Sequence, residues 1–320
     1  MITIILLGII IIILLSATVA PLGSLGWWAG WYGEELSTSS VPGTTEAIAP
    51  PIPAHDIESN RKPLASHYIV YLSGIGAFTG SSIPHEEFPF LDALCENIPN
   101  SVVITDVFPY SVTNVGLTGE RAFAWIWRRI EALRPINPTS MWLYMVVVRN
   151  MFQVIVSADR RYGPIYNLGV AKEIWRSLLR HGYRPGKGIP VTLIGTSGGG
   201  QISVGSITYL SEVVDVPIQV ISLGGVISSD PGLLKAAHLY HLYGANDGTH
   251  TLGAKIFPGR WPIAFNSAWN RAQAQGKITM KETGPADHVG KESHFDRNAF
   301  VEDGRSYFDI TLQEVLLILK

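Results

Sequence analysis

Gly195-Thr196-Ser197-Gly198-Gly199 is the stretch of this sequence whose residue types and spacing are best suited to chemistry. The apolar run Val191 to Ile194 before it reads as a short buried strand, and Ile202, Val204 and Ile207 after it mark the start of a helix. A serine on the sharp turn between the two must adopt a strained backbone. Gly195 and Gly199, two residues to either side, remove the side chains that would collide as the helix doubles back on the strand. The same turn exposes the serine oxygen and aims the free N–H groups of the helix start, Gly198 among them, at any negative oxygen formed beside it. The bland alternative is a plain strand-to-helix turn.

A serine hydroxyl is a poor nucleophile at neutral pH, so it needs an imidazole to take its proton and a carboxylate to orient that imidazole. Asp247 stands in the turn Gly244-Ala245-Asn246-Asp247-Gly248 after the strand-like run His238 to Tyr243. Its rival is Asp230 in Ser228-Ser229-Asp230-Pro231, where turn chemistry alone accounts for an Asp before Pro. For the base, His288 in Gly284-Pro285-Ala286-Asp287-His288 competes with His294 in Ser293-His294-Phe295-Asp296. His238, His241 and His250 lie within or beside a strand and read as structural, and no H-E-x-x-H is present. Ser73-Gly74-Ile75-Gly76 follows the first strand-like run and offers the backbone N–H of Ile75 as a second oxyanion donor. Gly74 and Gly76 also begin a dinucleotide fingerprint, but Thr79 stands where its third glycine belongs. No Gly-Lys-Ser/Thr follows the serine turn, so no nucleotide cofactor is expected.

The elements that must position these residues alternate between strands and helices. Strands are expected at His67 to Leu72, Val102 to Val107, Pro190 to Ile194, Val216 to Leu223, His238 to Tyr243 and Lys277 to Lys281. Helical spacing recurs at Phe88 to Cys95, Ala122 to Leu133, Ala171 to Leu179 and Thr311 to Leu319. The apolar run from Met141, broken at Arg149 and Asn150, reads as a helix and loop inserted before the serine turn, too short for a membrane span. In that loop Asp159, Arg160 and Arg161 fit either a solvated internal ion pair or contacts to a polar substrate.

On these residues the sequence resembles the α/β-hydrolase family, from about Ser66 to the C-terminus. The resemblance is carried by Gly195-Thr196-Ser197-Gly198-Gly199, an acid after a later strand and a histidine after the last one, in the family order nucleophile, acid, base. It implies an α/β-hydrolase fold: a mostly parallel central sheet, helices on both faces and a helical cap insertion at 136–165. It implies a serine hydrolase of esterase or lipase type, with Ser197, Asp247 and His288 catalytic, Gly198 and Ile75 as oxyanion donors, and no cofactor or metal. Asp230 and His294 are the alternates. Many members carry a histidine before the first glycine of the oxyanion loop, where this chain has Ser73. Acyl transfer through the same triad, or a silent scaffold used for binding, would share these motifs.

Residues Ile2 to Ala20 form an apolar run with no Lys or Arg before it, long enough to cross a bilayer, and 1–22 reads as an uncleaved anchor rather than a removed signal. Trp27, Trp28, Trp31 and Tyr32 follow, as rings suited to the headgroup layer. The remainder of 23–65 is a Ser, Thr, Pro and Gly-rich tether leading into a domain over 66–320. Glu34 and Glu35 precede the first basic side chain, Arg61, which leans toward a domain on the extracytoplasmic side. The 320 residues carry a formal charge of -2 with no long basic run, which excludes an electrostatic nucleic-acid surface. A single cysteine, Cys95, excludes an intramolecular disulfide and a Cys-rich metal site. The expected partners are an acyl substrate, small or lipid, and a membrane.

Overall fold

A computed structural model of the chain describes residues 65–119, 124–137 and 140–320, together with Leu7, Gly8, Ile10, Ile11, Ile13 and Leu14, which are helical. The rest of the apolar N-terminal run, the aromatic cluster at 27–32 and the tether lie outside the described residues, as do Ala122 and Pro138.

Six strands, β1 (His67–Leu72), β2 (Ser101–Ile104), β3 (Val191–Thr196), β4 (Gln219–Leu223), β5 (His238–Tyr243) and β6 (Ile278–Glu282), form one sheet in the order β2-β1-β3-β4-β5-β6. Every pairing is parallel. Parallel neighbours need crossovers that cover both faces, which is why β1 and β3 are apolar and buried along nearly their whole length instead of alternating. The crossovers and flanks are α1 (Phe88–Asn97), α2 (Ala124–Leu133), α3 (Met141–Ala158), α4 (Gly163–Arg180), α5 (Gly198–Leu210), α6 (Gly232–Lys235), α7 (Leu252–Ile256), α8 (Ala268–Ala274) and α9 (Tyr307–Leu319). α1 packs with α9, while α3, α4 and α6 gather around α5. With the serine turn after β3, Asp247 after β5 and His288 after β6, this is the α/β-hydrolase fold. All of these residues, and the loop Ser73 to Gly76, leave the carboxyl ends of strands, where ligands gather in such sheets.

Local chemistry sets the boundaries. β4 starts at Gln219 and not Val216, because Pro217 has no N–H for the ladder. β2 stops at Ile104, short of Val107. Beyond it the Asp106 carbonyl accepts from Asn114 Nδ2 at 2.9 Å, and the Asp106 backbone lies 2.5 Å from where a Cβ on Gly80 would stand. α4 begins at Gly163, earlier than the apolar spacing suggests, with Pro164 in its first turn, where a missing N–H costs nothing. α9 begins at Tyr307 through a reciprocal capping box between Ser306 and Asp309.

α3 is the helix expected from Met141 onward, and Arg149 and Asn150, which break its apolar run, do not interrupt it: the segment is one continuous helix of 18 residues. By length and composition it is also the only helix among the described residues that could cross a membrane, which corrects the judgement that this segment is too short. Its polar side chains turn inward. Arg149 donates to the Tyr110 carbonyl at 2.6 Å, and Asn150 Nδ2 donates to the carbonyls of Ile75 at 2.8 Å and Ala77 at 2.9 Å.

The crossing of β3, the serine turn and α5 is so close that a Cβ on Gly199 would lie 2.1 Å from the Leu72 carbonyl oxygen. Both the sheet and the helix are fixed there, so neither can yield cheaply. Gly199→Ala is therefore expected to destabilise the domain by about 3 kcal/mol or more. Gly188→Ala, in open space at a φ of 65°, should cost only about 1 kcal/mol. Thermal unfolding of both variants against wild type measures the difference.

Candidate active site

The turn between β3 and α5 places Ser197 at φ 51° and ψ −119°, in the region an L residue rarely occupies. Its backbone is held from both sides: the N–H donates to the Leu223 carbonyl at 2.9 Å, and its own carbonyl accepts from Gly200 at 3.0 Å. Strain of this kind persists only where surrounding bonds over-determine it. Ser197 is 9% exposed.

His288, on the loop after β6, brings Nε2 to 2.9 Å from the Ser197 oxygen. Its other ring nitrogen, Nδ1, lies 3.0 Å from Asp247 Oδ2. Asp247 Oδ1 accepts the N–H groups of Thr249 at 2.9 Å and His250 at 3.3 Å. Burial alone would push the Asp247 carboxyl up, but the hydrogen bond and charge of His288, with the two N–H groups, outweigh it and hold the acid below the usual carboxylate range. Ser197, His288 and Asp247 thus form one continuous hydrogen-bonded chain, assembled from the carboxyl ends of β3, β6 and β5.

The two expected oxyanion donors are neighbours. A Cβ on Gly198 would come within 2.8 Å of the Ile75 side chain, 2.6 Å of Val154 and 3.1 Å of the Tyr110 hydroxyl. A Cβ on Gly74 would sit 3.7 Å from Ser197 Cβ. Among the described residues, no acceptor is paired with the backbone N–H of Ile75 or of Gly198. The loop carrying Ile75 is pinned by Asn150 through the carbonyls of Ile75 and Ala77, and by the Tyr110 hydroxyl on the Ser73 carbonyl at 2.8 Å. Ser73 itself is buried.

The alternates fall elsewhere. Asp230 lies in a separate cavity of about 490 Å³ beside Tyr209 and Arg271, where Oδ1 accepts from Gly232 at 2.8 Å and burial raises it to about 6. His294 is buried behind Asp247, with Nε2 4.0 Å from Oδ2 and Nδ1 3.3 Å from the Thr283 hydroxyl; it does not reach Ser197. His238 pairs with Thr279, His241 with Ser222, and His250 stacks on Tyr243. Among the described residues no cluster of His, Cys, Asp or Glu is arranged to hold a metal ion. Asp159 and Arg161 form an exposed local pair at 3.3 Å.

Three contributors escape sequence reasoning. Val154 and Tyr110 reach the serine turn from distant segments, and no local signal marks them. Glu87 is buried beneath the Ser73 to Gly76 loop and accepts from the Gly74 N–H at 3.4 Å. Burial raises its carboxyl to about 7, yet in sequence it cannot be told from its exposed neighbour Glu86.

No protein-family model and no curated protein matches the sequence. Among solved structures the chain is similar to a dienelactone hydrolase from Anabaena variabilis, with 13% identity and a TM-score of 0.35, covering 80% of this chain and 84% of that one. So distant a likeness carries nothing about the site, and the fold assignment rests on topology and the serine turn.

Burial lowers His294 to about 4, only partly opposed by Asp247. The unfolded chain takes up this proton near 6.5 and the folded chain only near 4, so the fold loses stability as pH falls through that window, by at most about 1.4 kcal/mol per pH unit. His294→Phe removes this share. Its melting temperature is expected to fall less steeply than that of wild type between pH 6.5 and 4.

Proposed function

We propose that the chain is a serine hydrolase that cleaves acyl esters through a covalent acyl-enzyme on Ser197. The observation that carries this is the unbroken relay from the Ser197 oxygen at 2.9 Å to His288 Nε2, and from Nδ1 at 3.0 Å to Asp247. With Asp247 ionised, Nδ1 keeps its proton and donates it to the carboxylate, which leaves Nε2 as the acceptor facing Ser197. As the serine oxygen bonds to the ester carbonyl carbon, its proton passes to Nε2, and Asp247 balances the charge of the imidazolium. The carbonyl oxygen becomes an oxyanion next to the N–H groups of Gly198 and Ile75. Collapse of that intermediate breaks the bond to the alkoxy group, which leaves as the alcohol with the proton from Nε2. Water, deprotonated by the same nitrogen, then attacks the acyl carbon and returns the serine, releasing the acid.

The proposal extends to location. The uncharged apolar run at 2–20 and the rings at 27–32 support an N-terminal anchor, with the domain on a tether at the extracytoplasmic side. Such an enzyme meets acyl chains held in a bilayer.

A fluorophosphonate probe, which phosphonylates an activated serine, tests the chemistry on the detergent-solubilised full chain. Wild type and His294→Phe are expected to label, while Ser197→Ala and His288→Ala are not. Asp247→Asn, which removes the charge that fixes the imidazole tautomer, should slow ester turnover by about 10⁴. Labelling of folded Ser197→Ala, or its absence in folded wild type, would refute the assignment.

A further inference from the structure

α3 keeps polar side chains in its buried face and apolar ones on its outer face. Its fully buried positions are Val146, Arg149, Asn150, Gln153, Val154 and Ser157, four of the six polar, with Leu143, Met145 and Val156 packed beside them against the core. Its exposed positions are Met141, Trp142, Tyr144, Met151 and Ile155, from 41% to 58% exposed. A helix on a water-facing surface shows the opposite pattern. The rotation is not free, because Arg149 and Asn150 hold the carbonyls of Tyr110, Ile75 and Ala77, and Ser157 bonds Asn167 at 2.7 Å. Turning the apolar face inward would strip those buried carbonyls of their donors.

We propose that the outer face of α3 seats the domain on a lipid bilayer, lying along the interface without crossing it. Crossing is excluded by the same bonds, which tie the helix to the sheet loops over its second half. Rings and guanidinium groups frame the face as they do at a headgroup layer: Arg129 lies 5.5 Å from the centroid of Trp125 on the adjoining α2, and Arg161 lies 5.6 Å from that of Tyr162 just past the end of α3. The chain outside the described domain fits the same occupant. A nineteen-residue apolar run is followed by a tether that enters at the amino end of β1, opposite the end that α3 covers.

The seating also names the substrate class, and in this it rests on the hydrolase assignment above. The inner face of α3 touches the serine turn through Val154, so a bilayer on its outer face lies about one helix diameter, 10–12 Å, from Ser197. An acyl ester of a membrane lipid is the substrate such an enzyme meets.

The test uses the full chain reconstituted in phosphatidylcholine vesicles, with Cys95→Ser removing the one native thiol. An environment-sensitive fluorophore is placed in turn on Met151→Cys, Ile155→Cys and, as a control in the exposed loop before β3, Lys187→Cys. At 151 and 155 the expected result is a blue-shifted emission, quenched by shallow doxyl-labelled lipids and protected from iodide, since such helices sink about 5–10 Å into the headgroup boundary. At 187 the reverse is expected. Iodide access at 151 and 155 equal to that at 187 would overturn the proposal. Protection from both quenchers would overturn it too, because the face would then be covered by protein, either a second copy or the chain's own N-terminal segment. Repeating the measurement in Ser197→Ala separates the two proposals: the quenching pattern does not depend on catalysis, and fluorophosphonate labelling does not depend on seating.

Discussion

The close crossing of β3 and α5 at Ser197 is the constraint on which the rest of the structure depends. A residue at φ 51° is costly, and it is held only because β3 lies inside the sheet and Leu223 and Gly200 bond its backbone. The crossing requires Gly195 and Gly199, each of which faces backbone atoms at 2.5 Å or less from where a Cβ would stand. It also decides where the other groups must come from. With the serine oxygen raised above the carboxyl edge, the loops leaving that edge after β1, β5 and β6 bring Ile75, Asp247 and His288 toward it.

Electrostatics then separates three of the buried carboxyl groups, Asp247, Asp230 and Glu87, by what surrounds them. Burial raises all three, but Asp247 gains a histidine and two N–H donors and is held below the usual range. Asp230, with one N–H, is left at about 6. Glu87, beneath the Ser73 to Gly76 loop, is left at about 7. Of these three, Asp247 is the one held below the usual range, and it is the one that faces an imidazole. The buried histidines complete the pattern. His241 and His294 are pushed to about 3 and about 4 by burial and stay neutral, so they bring no second cation to compete for Asp247.

Legibility in the sequence follows the range of the interactions. Ser197 was readable because the turn's demand for small neighbours is local and leaves a spacing. Asp247 and His288 were readable by chain order and by their place after apolar runs that had to be strands. His288 is preferred to His294 in the sequence by its place after the last strand through a Gly-Pro turn, while it is the path of their shared loop that turns one toward Ser197 and the other behind Asp247. Glu87, Val154 and Tyr110 were hidden because their burial is a property of packing between distant segments. The start of β4 was available in principle from Pro217. The short helices α6, α7 and α8 carry too few turns for a period to register.

The helix α3 shows how the site reaches outward. Arg149 and Asn150 looked like an interruption because a polar pair in an apolar run normally faces water. Here the demand comes from the opposite side: the loop that carries Ile75 leaves the carbonyls of Ile75 and Ala77 in a buried place with no strand partner, and Asn150 supplies both bonds. Holding that loop against Ser197 therefore fixes the helix rotation, and the rotation fixes which side chains face out. Were those side chains left in water, the arrangement would expose a contiguous apolar surface of a kind that soluble domains rarely show. A bilayer, the occupant proposed for that face, would remove that cost without touching the bonds to the loop. The polarity of the buried face and the apolar character of the outer face are then two sides of one helix, its rotation fixed by the bonds to the loop.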